Sequence, residues 1–262
     1  VPGDRWYFMA IEAIDLEFGY NEDIFISGCS FTIEQGKIHA ILGPNGSGKT
    51  TILKLLNGTL KPRRGKVLID GYNVQQLGRK ALARLMANVP QEHNGVFPYT
   101  VLDMVVMGRN PYLKIFGRPK AEDYLIAEEA LDMLGIGHLR DKCYMEISGG
   151  ERQMVFLARA IAQEASYFIM DEPTSHLDFY NQHKIMEILR GIVEEKGCCA
   201  IVSMHDPNLA MRFADEVLMI KEGRMLKEGE TLEVMTSSNL SKLYNMDIKI
   251  ADFEGKRNIV YV

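Results

Sequence analysis

The segment Gly43-Pro44-Asn45-Gly46-Ser47-Gly48-Lys49-Thr50, followed by Thr51, constrains the fold of this chain more than any other stretch. It satisfies the spacing G-x-x-x-x-G-K-[ST]. The apolar run Ile38 to Leu42 precedes it, and Ile52, Leu53, Leu55 and Leu56 recur at helical spacing after it. Strand, tight loop and helix in that order open an α/β unit with a parallel sheet. The physical logic is anion binding. Glycines let the backbone fold tightly so that several N–H groups point inward, and the following helix aims its positive end at the same spot. In such a loop Lys49 reaches the β- and γ-phosphates and the Thr50 hydroxyl is a ligand of Mg²⁺.

Two further features fit that chemistry. Tyr167 to Met170 reads as an apolar strand running into the carboxylates Asp171 and Glu172. Successive strand residues point to opposite sides, so the two acids need not share one job. Asp171 suits Mg²⁺ held through its water shell, and Glu172 suits polarisation of an attacking water. His205 follows a second apolar strand, Ala200 to Met204, which sets it at the carboxyl edge where open α/β sheets bind ligands, ready to sense a γ-phosphate. An acidic pair or a lone histidine says little in isolation; beside the phosphate loop both gain meaning.

Composition narrows the class. A net charge of −5 offers no broad basic field for a nucleic-acid backbone, and nucleic acid is not expected as a partner. The longest apolar runs fall far short of the roughly 20 residues that cross a bilayer. Val1 to Phe8 has neither a basic start nor an apolar run, so it does not read as a secretory signal, and Met9 is a candidate for the natural first residue. Cys29, Cys143, Cys198 and Cys199 lack metal-ligand spacing and read as reduced thiols, which together with the other features points to the cytoplasm.

Along the chain, Lys66 to Asp70 and Ala87 to Pro90 read as short strands, and Thr100 to about Ala162 as mostly helical. An amphipathic helix is expected around Ile185 to Val193. Short helical patterns follow at Leu232 to Met235 and Leu240 to Tyr244, and the ending around Glu254 and Gly255 suggests a hairpin.

Ile147-Ser148-Gly149-Gly150-Glu151-Arg152-Gln153 precedes the helical run Met154 to Ala162. Ser148 and Glu151 have capping-box spacing, so a well-capped helix start accounts for both. It does not account for two consecutive glycines, which cost backbone entropy unless something must come close to the chain. With the phosphate loop before it and the acid pair shortly after, the segment resembles the signature motif of the ABC transporter ATPases, and the resemblance covers nearly the whole chain.

That resemblance implies an α/β fold, a P-loop NTPase cassette with a mostly parallel core sheet, an N-terminal antiparallel β region and a helical subdomain. It implies one cassette over 1–262, its catalytic core in 1–91 and 163–230, the helical subdomain in 92–162 and a C-terminal extension in 231–262. The cofactors implied are ATP and Mg²⁺. Tyr20 is implied to stack on adenine, Gln91 to link Mg²⁺ to a permease, and the loop from Ser175 to Asp178 to contact a second copy. Ser148, Gly149, Gly150 and Glu151 are implied to face the phosphate loop of that copy, so that a homodimer holds two ATP molecules head to tail. Departures from the commonest pattern are Ile147 for leucine, Glu151 for glutamine and His176 for alanine. None removes a glycine, Ser148 or Glu172, so activity is expected.

Val101 to Leu113, with Met107-Gly108-Arg109-Asn110-Pro111-Tyr112, and the ending from Leu240 to Val262 resemble the importers of iron chelates, haem and cobalamin. The implied setting is the cytoplasmic face of the cell membrane, on a two-copy permease fed indirectly by a periplasmic or extracellular binding protein. His93 to Thr100, with Phe97 and Tyr99, is the candidate groove for a permease helix. Alternatives are an oxyanion importer, an exporter cassette, or a non-transport ABC protein, whose groups usually carry two cassettes or a long coiled coil. A GTPase is disfavoured because the N-K-x-D guanine motif is missing.

Overall fold

The computed structural model describes residues 10–90, 97–114, 116–175, 177–253 and 256–261. The chain folds as two compact units, Val1–Leu77 with Cys199–Val262, and Gly78–Cys198.

The first unit opens with β1 (Ala10–Phe18) and β2 (Ile26–Glu34), paired antiparallel. Then come β3 (Ile38–Leu42), α1 (Lys49–Leu56), β4 (Arg64–Ile69) and the short β5 (Tyr72–Asn73). Strands β2, β1, β4 and β5 form an antiparallel sheet in that order. In β2 burial alternates, as a half-buried strand requires, whereas all five residues of β3 are buried, as in a strand covered on both faces. Helix α1 starts at Lys49, ahead of the first apolar residue of its stripe, Ile52, with left-handed Gly48 as its cap.

The second unit carries α2 (Arg79–Leu85), β6 (Met86–Val89), α3 (Val101–Val106), α4 (Ala121–Met133), α5 (Gly149–Ala162), β7 (Tyr167–Asp171) and α6 (Phe179–Lys196). Strands β6 and β7 run parallel. Thr100 and Asp103 form a capping box that launches α3, which then tightens into a 3₁₀ turn over Met107–Tyr112, where Pro111 cannot donate an α-helical hydrogen bond. The apolar stripe of α6, namely Ile185, Met186, Leu189, Ile192 and Val193, is buried as its spacing predicts. The helix runs well beyond that stripe because the Asp178 carboxylate accepts the Asn181 N–H at one end and Gly197 turns left-handed at the other.

The chain then returns to the first unit with β8 (Cys199–Met204), α7 (Pro207–Phe213), β9 (Glu216–Lys221), β10 (Arg224–Glu230), α8 (Thr231–Val234), α9 (Ser237–Tyr244) and the hairpin β11 (Ile248–Phe253) and β12 (Lys256–Tyr261). Strand β3 lies between β8 and β9, parallel to both, and β10 extends this sheet antiparallel. Cys29, Cys198 and Cys199 are buried thiols and Cys143 a half-buried one, none of the four in a disulfide. Among the described residues no helix is long and apolar enough to cross a membrane.

Candidate functional site

In the first unit the phosphate loop leaves the carboxyl end of β3. Gly46 and Gly48 adopt φ of 76° and 111°, and a Cβ on Gly48 would stand 2.7 Å from Ile26 Cδ1. A Cβ on Gly43 would meet the Ile220 carbonyl at 2.2 Å and Ser47 Oγ at 2.5 Å. The chain's own backbone therefore demands small residues here. Lys49 is only 4% exposed, and its ammonium folds over the loop onto the carbonyls of Gly43 (2.9 Å) and Pro44 (3.3 Å). Ser47 Oγ is buried and finds no hydrogen-bond partner among the described residues. A buried hydroxyl without a partner costs free energy unless a ligand satisfies it. With a cation and a helix N-terminus beside it, a phosphate oxygen fits that role.

Tyr20 and His205 are brought to this loop from elsewhere in the unit. The Tyr20 hydroxyl hydrogen-bonds Thr51 Oγ1 at 3.2 Å, and its ring stands edge-on to Phe18 at 5.0 Å. It is 62% exposed, so it is not a packed core aromatic and keeps a ring face open for stacking. Leu42 pairs with Met204, so Gly43 and His205 emerge at the same edge of the parallel strands. His205 is exposed, and the next residue, Asp206, caps α7 by accepting the Asn208 N–H.

A residue with no local sequence signal braces the loop. Gly223, in the turn between β9 and β10, donates its N–H to the Ser47 carbonyl at 2.9 Å and accepts the Ser27 N–H at 3.0 Å. Its Cβ would fall 1.6 Å from the Phe25 carbonyl oxygen.

In the second unit Asp171 closes β7, but Glu172 does not continue the strand. It takes φ of 49°, in the left-handed region that a side chain rarely occupies. The direction of its carboxylate is therefore set by a turn, not by the strand alternation expected from sequence. Ser175 holds this turn, donating both its N–H (3.0 Å) and its hydroxyl (2.8 Å) to the Glu172 carbonyl. Non-glycine residues held in sparsely populated backbone regions cluster at functional positions. Asp178 follows as the cap of α6.

Ser148 caps α5 in the same unit, and the capping box is complete. Ser148 Oγ accepts the Glu151 N–H at 3.3 Å, and Glu151 Oε2 accepts the Ser148 N–H at 2.8 Å. The Ser148 hydroxyl and N–H hold the Glu151 carboxyl below its usual range. Neither Gly149 nor Gly150 has a positive φ. Among the described residues a Cβ on Gly149 would meet nothing within 4 Å, and one on Gly150 would sit 3.5 Å from Leu177 Cδ2, an ordinary contact. None of the described neighbours asks for glycine at either place.

The structure thus gathers Tyr20, the loop from Gly43 to Thr51 and His205 in one unit. In the other it places Asp171, Glu172, Ser175 and Asp178 between the end of β7 and the start of α6, with Gly150 beside Leu177. Gln91 and His176 lie outside the described residues.

The family model described as ABC transporter matches residues 26–175. The petrobactin import ATP-binding protein of Bacillus subtilis strain 168 is 34% identical over 251 residues, 96% of this chain and 99% of the relative. The iron(3+)-hydroxamate import ATP-binding protein of the same strain is 34% identical over 235 residues, 90% and 87% of the two chains. An inward-facing transporter structure assigned to the metal-chelate type superimposes with a TM-score of 0.85 at 33% identity, covering 97% of each chain. With a buried phosphate cradle, a strained acid and a capped glycine pair in one sequence, the chain belongs to the ABC transporter family, as an ATP-binding subunit whose ATP hydrolysis is coupled to transport.

Proposed function

We propose that this chain powers import of an iron chelate or a related metal chelate through a separate permease. It does so as a homodimer in which each copy supplies the phosphate cradle of one site and Ser148, Gly149, Gly150 and Glu151 of the other. The observation that carries this reading is the unexplained pair of glycines at the exposed start of α5. In a two-fold dimer the same patch serves both copies, and a triphosphate held by the partner is a body close enough to demand them.

Within each site Tyr20 stacks on adenine, the loop from Gly43 to Thr51 wraps the phosphates, and Lys49 and His205 face the γ-phosphate. Glu172 polarises the attacking water, and Ser175 and Asp178 meet the second copy. Thr50, Asp171 and Gln91 would hold Mg²⁺, Asp171 through the water shell that this ion keeps. The ion would supply neutralisation of the charge on the phosphates. Closure follows from contacts made only in the dimer, and hydrolysis removes them.

Phe97 and Tyr99 are exposed, with ring centroids 5.9 Å apart, and continue from the stretch after Gln91. They form the described part of the groove proposed for a permease helix; 93–96 lie outside the described residues. The two Bacillus subtilis relatives serve different chelates at equal identity, which supports the chelate class and leaves the individual chelate to experiment. The working place of the chain is the cytoplasmic face of the membrane, on a two-copy permease that receives solute from a binding protein.

Glu172→Gln tests the chemistry. Phosphate release falls by roughly a hundredfold or more while ATP binding persists. Near-normal release would remove Glu172 as the group acting on water. Purification with the permease tests the substrate class: iron chelates presented by their binding protein raise ATP hydrolysis, and oxyanions such as molybdate do not.

A further inference from the structure

The stretch Gly108–Tyr112 binds α5 at that helix's C-terminal end, the end away from Ser148. Gly108 lies so close to α5 that a Cβ would stand 2.3 Å from the Arg159 carbonyl oxygen. Arg109 is 7% exposed and donates through Nη1 to the Ala162 carbonyl (2.8 Å) and to Glu164 Oε2 (2.6 Å), and through Nε to Asp123 Oδ1 (3.2 Å). Its guanidinium also lies 4.2 Å from the centroid of the Tyr112 ring. The Tyr112 hydroxyl donates to the Gln163 carbonyl at 3.1 Å. The Gln163 carboxamide in turn donates to the carbonyls of Ala83 (2.5 Å) and Met86 (2.9 Å), at the junction of α2 and β6.

The last carbonyls of a helix have no partner within it, and its C-terminus carries partial negative charge. Arg109 answers both needs at once, and Tyr112 takes the next carbonyl. The opposite end of α5 is Ser148, fixed by its own capping box. Hydrogen bonds on successive carbonyls at the far end of this 14-residue helix resist its sliding along the axis and turning about it.

We propose that Arg109 is a positioning residue for ATP hydrolysis: by capping the C-terminal end of α5 it sets where Ser148, Gly149 and Gly150 stand when they meet the nucleotide of the partner copy. This rests on the head-to-tail reading above. Arg109 itself touches no substrate, so its effect is on turnover and not on the affinity of its own chain for ATP.

The test uses mixed dimers. Arg109→Met lowers kcat by about tenfold or more, because small misplacements of binding groups are costly, while ATP binding to the isolated variant is unchanged. Lys49→Ala chains are inactive through their own cradle. In a dimer of one Arg109→Met chain with one Lys49→Ala chain, one site combines an intact cradle with an intact Ser148 segment. Activity therefore rises above that of either variant alone. Ser148→Arg mixed with Lys49→Ala is the control and rises in the same way.

Recovery in the control without recovery for Arg109→Met overturns the proposal, as does wild-type kcat in the Arg109→Met homodimer. Failure of the control overturns the head-to-tail reading, and the proposal with it. Should Arg109→Met not fold, Tyr112→Phe removes only one hydroxyl. It lowers kcat roughly threefold, with the same recovery on mixing; an unchanged kcat, or a loss that mixing does not relieve, counts against the proposal.

Discussion

Two glycine-rich turns of this chain look alike in sequence and differ in what requires them. From Gly43 to Gly48 the fold itself leaves no room: two residues sit at positive φ, and Cβ atoms on Gly43 and Gly48 would collide with Ile220 and Ile26. At Gly149 and Gly150 the backbone is ordinary and the surroundings open or merely in contact. The first turn is shaped by its own chain. At the second no described neighbour requires glycine, which is what the proposed contact with a second copy would explain. Glycine is thus legible as a functional residue when its cost has no return inside the molecule.

The contrast predicts opposite signs on stability. Gly48→Ala forces a left-handed alanine against Ile26 and should lower stability by about 1–3 kcal/mol, with ATP affinity falling by roughly a hundredfold. Denaturant titration and equilibrium nucleotide binding read both. Gly150→Ala should leave stability unchanged or raise it by up to about 1 kcal/mol, because alanine is the better helix residue. Its ATPase activity should fall about tenfold while ATP still binds to the single chain. A Gly150→Ala protein that is less stable than wild type would erase the distinction between the turns.

Ser175 offers a finer version of the comparison. Ser175→Ala removes one hydroxyl from the Glu172 carbonyl and should cost about 1 kcal/mol locally. Steady-state kinetics should then register a few-fold drop in kcat with the KM for ATP unmoved.

The smallest effect is a pH dependence separate from both turns. Burial in the sheet holds His39 below its usual range, against the upward pull of the Glu34 carbonyl, Glu216 and Asp215, with Lys37 adding to the lowering. The unfolded chain takes up that proton near about pH 6.5 and the folded chain does not, so stability should decline as pH falls below that value. His39→Gln should flatten this limb of a stability profile measured by denaturant midpoints, and leave both glycine turns unaffected.

Much of the fold was readable because its signals are local. The buried runs Ile38 to Leu42, Tyr167 to Met170 and Ala200 to Met204 are strands in the structure, and the apolar stripe of α6 is where its spacing put it. The phosphate loop, the Ser148 capping box and the closing hairpin rest on neighbours in sequence. What escaped is held by distant partners. Gly223 braces Ser47, and Arg109 caps α5 from half a domain away along the chain. The left-handed turn at Glu172 depends on Ser175, which sequence offered only as part of a dimer loop. The helix α7 is so short that Asp206 and Pro207, its cap and first residue, are most of its signal.

The central claim is that one copy's Ser148, Gly149 and Gly150 close over a triphosphate bound by the other. Sedimentation of the Glu172→Gln protein with saturating ATP and Mg²⁺ tests it most directly. The account predicts a dimer that forms with ATP, is absent with ADP, and is abolished by adding Ser148→Arg. A protein that stays monomeric with ATP bound, or dimerises equally well with Ser148→Arg, would contradict it.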